Sequence, residues 1–236
     1  MDNKLKILCL HGMSQNGAIF RKKTAVIRKK LDKIADMVYI TAPHLSLHPN
    51  HTSEALREAA ADENAPLELK PFGWWLPKED KIQPTDDSFV GFKESIEVVK
   101  DILIKEGPFD GIFGFSQGAA FASMLTAALE NKSLLPEYFP TDFQHPPFRF
   151  AMVAASFIPD RPIAHRIFAS KIKTPSIHMI GEKDSLIVPE QMETLANAFE
   201  DPIFLRHSGG HVVPSNAPSK NEISSFVSKF VKTPSE

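Results

Sequence analysis

The feature that most narrows the folds open to this chain is a five-residue turn, Gly114, Phe115, Ser116, Gln117, Gly118. It sits between an apolar run at 109–115 and a stretch rich in small residues at 117–130. The first reads as a buried strand and the second as a helix, so the serine falls where strand becomes helix. A turn that abrupt strains the serine backbone and lifts its hydroxyl above the sheet. Glycine two positions to either side removes the Cβ that would strike a neighbouring strand or helix. The competing reading is a glycine-rich connection in which Ser116 is an ordinary helix N-cap.

The rest of the chain repeats the same alternation. Apolar runs at 5–10, 37–42, 150–155, 175–180 and 203–206 have the length of strands, and amphipathic stretches at 17–35, 88–105, 189–199 and 220–231 have helical spacing. In the first of these helices, Ile19, Phe20, Val26, Ile27, Leu31 and Ile34 recur at roughly helical spacing while Arg21, Lys22, Lys23, Arg28, Lys29 and Lys30 fill the other side, the pattern of a solvated face. Strands alternating with helices predict a parallel sheet covered on both sides. The alternation stops between 43 and 86, which holds Pro43, Pro49, Pro66, Pro71, Pro77 and Pro84, a short helix at 53–61, and the aromatic group Phe72, Trp74 and Trp75. Because the alternation resumes afterwards, with Asp87 or Ser88 as a helix cap, this segment reads as an insertion within one domain spanning 1–236. A lid or a pocket-forming segment fits it better than a linker.

Composition excludes several classes. A chain of 236 residues, 42% of them hydrophobic, can bury one core without disulfides or a structural metal. Its 27 basic and 29 acidic residues leave a formal charge of −2, which creates no field to attract nucleic acid or an anionic membrane. The single cysteine, Cys9, cannot form an internal disulfide and reads as a small buried hydrophobe, so a cytoplasmic location is expected. The apolar run at 5–10 meets His11 and Gly12 too soon for a signal peptide or a membrane span. His44, His48 and His51 are close in sequence, but Pro49 interrupts them and no cysteine or acid completes a set, so no metal is expected. Neither a dinucleotide nor a phosphate-loop glycine pattern is present.

A serine hydroxyl is a poor nucleophile at neutral pH and needs a base, which in turn needs an orienting acid. After a strand, serine, helix turn the expected order is acid and then histidine. Asp184 follows the strand at 175–180, and His211 follows Gly209 and Gly210 after the next strand. Both fall at carboxyl ends of strands, where open α/β sheets build their sites. Asp160 and Glu182 are rival acids and His207 a rival base. The glycine pair before His211 would give that loop freedom to turn inward. The anionic oxygen of a tetrahedral intermediate needs two amide donors, and Gln117 and Met13 are the candidates, with His11 shaping the loop.

These segments together resemble the FSH family of serine hydrolases. The resemblance rests on Leu8, Cys9, Leu10, His11, Gly12 with Gln15, Asn16, Gly17 and Phe20; on Gly107, Pro108, Phe109, Asp110, Gly111; on Gly114 to Ala119; and on Gly209, Gly210, His211 with Val213 and Pro214. It implies an α/β hydrolase fold, a Ser116, Asp184, His211 triad, and esterase or thioesterase chemistry on small to medium acyl substrates without a cofactor. Trp74 and Trp75 also resemble the family's aromatic segment, which implies a place near the acyl pocket; Phe72, Trp74, Trp75 and Phe115 are the candidates to line it, with core packing as the alternative. The acyl-protein thioesterase and carboxylesterase group has a similar serine motif but reads differently at the loop after the first strand and at the histidine loop. A non-catalytic lipid-binding module on the same scaffold is the reading from a different class.

Overall fold

In the computed structural model, residues 4–47, 52–76 and 89–231 are described. Six parallel strands form the central sheet: β1 (Leu5–Leu10), β2 (Ala35–Ile40), β5 (Gly111–Phe115), β6 (Phe150–Ala154), β7 (Ser176–Gly181) and β8 (Ile203–His207). Their spatial order is β2, β1, β5, β6, β7, β8. The chain runs outward from β1 to β2 and then returns to place β5 on the other side of β1, so the sheet changes direction between β1 and β5. Loops leaving the carboxyl ends of those two strands diverge and open a crevice.

Burial follows from that order. Every residue of β5, β6 and β7 is buried, whereas the edge strands β2 and β8 are partly exposed. Strands covered on both faces carry continuous apolar runs, which is how these segments read in the sequence. On one face, Leu8, Leu10, Ile112 and Val153 pack with α4 (Phe92–Glu106), α5 (Gln117–Glu130) and α6 (Pro162–Ile167). On the other, Ile7, Cys9, Phe113 and Met152 pack with α1 (Gly17–Lys23), α2 (Ala25–Leu31) and α8 (Ala217–Ser228). Helix α7 (Pro189–Ala196) precedes β8, with Leu195 in the first cluster and Met192 in the second. Helix α5 is buried on all sides except at Glu130, and its small residues let it lie close against β5 and β6. Its two hydroxyls, on Ser123 and Thr126, donate back to the carbonyls of Ala119 and Ala122 at 2.9 and 2.7 Å, so neither is left unpaired in the core. Among the described residues no helix is long and apolar enough to cross a membrane.

Several boundaries depart from the sequence reading, among them β2, which spans Ala35–Ile40 instead of 37–42, and α7, which ends at Ala196 instead of 199. The single helix expected at 17–35 is two helices that break at Thr24, because the Thr24 hydroxyl turns back to Phe20 O at 2.7 Å and also meets the Tyr39 hydroxyl at 2.7 Å. The closing helix expected at 220–231 starts earlier, where Asn216 accepts from Ser219 N at 2.9 Å and Pro218 occupies the first turn. Helix α4 begins at Phe92, preceded by Gly91 in the left-handed region at φ 85°. The caps expected at Asp87 or Ser88 lie outside the described residues, as do residues 48–51 and 77–86 of the 43–86 insertion.

The described part of that insertion contains β3 (His44–Leu45) paired antiparallel with β4 (Phe72–Gly73), α3 (Glu54–Ala61) and a 3₁₀ turn at Leu67–Leu69. It is tied to the sheet by Asn16. The Asn16 Oδ1 caps α1 by accepting from Ile19 N at 2.8 Å, and its Nδ2 donates to Glu68 O and Lys70 O, both at 2.9 Å. One buried amide therefore holds a helix start and a distant loop together. Asn16→Ala removes the cap and leaves two carbonyls unpaired, so a loss of about 2–4 kcal/mol is expected in urea unfolding. A loss no larger than that of an exposed surface change would show that the segment is held by other contacts.

Candidate active site

Ser116 joins β5 to α5 at φ 53° and ψ −122°, a conformation that costs a non-glycine residue on the order of 1–3 kcal/mol. The strain persists because its surroundings leave the backbone no alternative. Ser116 N donates to Ala154 O at 2.9 Å, extending the β5–β6 ladder, while Ser116 O accepts from Ala119 N and Ala120 N. A methyl on Gly114 would lie 2.4 Å from Ala119 Cα, and one on Gly118 would lie 2.2 Å from His11 O. Both glycines are required for close approach rather than for positive φ.

The pairing of β1 with β5, which sets Leu10 beside Gly114, carries the 11–13 loop over the serine. A Cβ on Gly12 would come within 3.3 Å of Ser116 Cβ and 2.9 Å of the Phe115 ring. The loop is fixed from behind by His11, whose Nδ1 donates to Gly12 O at 2.7 Å and whose Nε2 accepts from Ala42 N at 3.0 Å. That pair of bonds requires the neutral ring, and burial pushes its pKa down to about 4.

Asp184 and His211 come together as expected. His211 Nδ1 lies 2.7 Å from Asp184 Oδ2, and the carboxylate side chain has no exposed surface. Its other oxygen accepts from Leu186 N and Ile187 N, both at 2.9 Å, so the acid also closes its own turn. The two loops are stitched by Lys183 N to Gly209 O at 3.0 Å and Glu182 N to His207 O at 2.9 Å. Neither Gly209 nor Gly210 has a positive φ. Space is needed at Gly209 and at Gly181 instead: a Cβ on Gly181 would strike Gly210 O at 2.4 Å, and one on Gly209 would strike His207 Nδ1 at 2.9 Å, whereas one on Gly210 would make only ordinary contact with Lys183 O at 3.4 Å.

The rival residues sit elsewhere. The Asp160 carboxylate is fully exposed and pairs with His165 at 3.4 Å. Glu182 points to solvent. The His207 Nδ1 accepts from Gly209 N at 3.2 Å, and burial holds its pKa below the ordinary histidine value against the opposing charges of Asp184 and Glu182. His44 is bonded to Gly91 O at 2.7 Å, and His48 and His51 lie outside the described residues.

The four aromatic residues expected in one pocket are distributed. Trp74 is completely enclosed; its Nε1 donates to His11 O at 2.8 Å and its ring lies 5.2 Å from the His11 ring. Phe72 is built into the β3–β4 ladder, with its amide donating to Gln15 O at 2.7 Å. Trp75 stacks on Phe89 at 4.7 Å and, with Leu76, Phe157, Pro159, Asp160 and Arg161, lines a cavity of about 500 Å³. Phe115 lines a separate cavity of about 320 Å³ beside His211, whose ring is 4.9 Å away.

Gln117 contributes a side chain as well as the backbone amide expected from the sequence. Its Oε1 accepts from Trp74 N at 2.8 Å and its Nε2 donates to Trp75 O at 2.8 Å, clamping the aromatic segment onto the start of α5. A buried amide side chain at the first helical position, needing partners for both of its ends, was the available signal.

Comparison with known proteins agrees with this geometry. A family model described as serine hydrolase (FSH1) matches residues 1–223. Esterase OVCA2 of Danio rerio is 34% identical over 238 residues, covering 96% of this chain and 97% of that protein. A Schizosaccharomyces pombe protein named dihydrofolate reductase is 33% identical over 233 residues, covering 96% of this chain but 48% of that protein, so the chain spans about half of that relative's length. Among solved structures, acyl-protein thioesterase 2 of Zea mays superposes with a TM-score of 0.58 at 17% identity, covering 97% of this chain and 94% of that one, a likeness of α/β hydrolase fold.

The neutral histidines set an acid limit. Burial lowers the pKa of His11 to about 4 and that of His178, on β7, to about 3. Above pH 6.5 both are neutral in either state and cost nothing; as pH falls below 6.5 the unfolded chain takes up protons that the folded chain refuses. Stability should therefore fall between pH 6.5 and 4 by roughly 1.4 kcal/mol per pH unit for each of the two rings. Urea unfolding at stepped pH checks this, and His178→Leu should make the slope shallower by about one proton. An unchanged slope in that variant would assign the acid sensitivity to other groups.

Proposed function

The chain belongs to the FSH1 serine hydrolase family, and from that membership we propose that it cleaves carboxylic esters or thioesters of small to medium acyl groups by way of an acyl-enzyme on Ser116. The single observation that carries this reading is the 2.7 Å bond between buried Asp184 and His211, from loops at the same end of the sheet as the strained Ser116 turn. A carboxylate can only accept, so His211 Nδ1 carries the proton and Nε2 presents a lone pair, the tautomer a general base needs.

In the proposed first half-reaction, His211 Nε2 takes the Ser116 proton as Oγ bonds to the substrate carbonyl carbon, and the carbonyl π pair moves onto oxygen. The amides of Gln117 and Met13 receive that oxyanion. Gln117 is the first residue of α5, where an amide has no intrahelical acceptor. As the tetrahedral intermediate collapses, the bond to the leaving alcohol or thiol breaks and His211 gives that atom its proton. Water then repeats the sequence with His211 as base, releasing the acid and restoring Ser116. Asp184 keeps the ring in the required tautomer and stabilises the imidazolium. The cavity lined by Trp75, Phe89 and Phe157 suits the acyl chain. His11, Trp74 and the Gln117 side chain act at one remove, holding the oxyanion loop and the start of α5 in register.

Steady-state hydrolysis of p-nitrophenyl esters from two to sixteen carbons, beside acyl thioesters, tests the reading. Ser116→Ala should lower kcat by about 10⁴-fold or more. Asp184→Asn should lower it by about 10³–10⁴-fold, because an amide at that position favours the wrong tautomer. Absence of turnover in the wild type together with failure of a fluorophosphonate to label Ser116 would instead favour a lipid-binding module on the same scaffold.

A further inference from the structure

The cavity beside His211 has a composition unlike that of the aromatic cavity near Trp75. Its lining consists of Phe20 and Lys23 from α1, Phe115 from the end of β5, and His211, Val212, Val213 and Ser215 from the loop after β8. The Phe20 and Phe115 rings stack at 6.3 Å. Lys23 is its one permanent charge, and no carboxylate lines it. The Lys23 ammonium also makes no ion pair or hydrogen bond among the described residues, and it lies at the carboxyl end of its helix, where a cation is favoured. The Trp75 cavity, by contrast, carries both Asp160 and Arg161, whose charges offset.

Acyl transfer assigns these two spaces different parts of the substrate. The atom that leaves must receive its proton from His211 Nε2, so the leaving group departs on the histidine side, while the acyl chain extends away from it. From the lining of the His211 cavity we infer that it receives the leaving group, and that the preferred leaving group is an alcohol or thiol bearing an anion, carboxylate or phosphate, which meets Lys23. This rests on the hydrolase reading above. Its apolar portion would contact Phe115, Val212 and Val213, and its charge would reach the rim at Lys23. Lys23 is then a specificity-determining residue: it attracts one class of leaving group and takes no part in proton transfer.

The test compares kcat/KM for the octanoyl ester of 4-hydroxybenzoate with that for the octanoyl ester of its methyl ester, which differ in one negative charge. Reading each variant as the ratio of the two esters cancels their intrinsic reactivities. Lys23→Glu should lower the ratio of charged to neutral ester by roughly tenfold, Lys23→Gln by an intermediate factor, and Lys22→Glu, one residue away and outside the cavity, should leave it near the wild-type value. A parallel pair, octanoyl-CoA against octanoyl N-acetylcysteamine, shows whether a phosphate serves in place of a carboxylate. A ratio unmoved by Lys23→Glu, or moved equally by Lys22→Glu, overturns the assignment. Labelling of Ser116 by a fluorophosphonate without turnover of either ester overturns the leaving-group site alone. Absence of labelling and of turnover overturns the hydrolase reading and this inference with it.

Discussion

The close approach of Gly118 to the carbonyls of Leu10 and His11 is the contact on which the site depends. It exists because β5 pairs with β1 in parallel and α5 begins immediately afterwards, so the first turn of a buried helix lies against the end of the neighbouring strand. No side chain fits between them. The loop after β1 is thereby placed over Ser116, and the strained serine backbone has nowhere to relax. The same packing explains why α5 opens with Gly118 and Ala119: a side chain at Gly118 would strike His11 O, and Ala119 lies directly against Gly114.

Much of this was legible in the chain. The strand, serine, helix turn could be read because its glycines, its apolar run and its small-residue helix are adjacent, and Asp184 and His211 could be read because each follows an apolar run of strand length. What could not be read were interactions between distant segments. The break at Thr24 depends on a hydroxyl reaching Tyr39 across to β2, and the periodicity of apolar residues runs through it undisturbed. The distribution of Phe72, Trp74, Trp75 and Phe115 depends on distant partners, the β3–β4 ladder for Phe72, His11 for Trp74, Phe89 for Trp75 and His211 for Phe115, information that composition does not hold. The glycine pair before His211 suggests backbone freedom, whereas Gly209 is there for space and a side chain on Gly210 would make only ordinary contacts; a need for space and a need for unusual φ look the same in a sequence.

The histidines illustrate how environment separates residues of one type. His11 and His145 each use Nδ1 on the carbonyl of the following residue and Nε2 on a distant backbone amide, Ala42 N and Phe109 N, and burial keeps both rings neutral. They are backbone clamps. His211 differs in having a fully buried carboxylate on one nitrogen and a cavity beside the ring. A ring with both nitrogens bonded to backbone has no lone pair to offer, whereas one oriented by a carboxylate keeps its second nitrogen free for proton transfer.

The double employment of Asp184 has an evolutionary consequence. One oxygen holds His211 and the other closes the 184–187 turn, so a lineage that abandoned catalysis could not discard this acid without loosening a loop that the histidine strand also leans on. Ser116 carries no comparable structural duty through its side chain. If Ser116, Asp184 and His211 react as proposed, a descendant that became a silent binding protein would most readily lose its serine while retaining aspartate and histidine, and there a surviving acid and histidine would testify to folding rather than to chemistry.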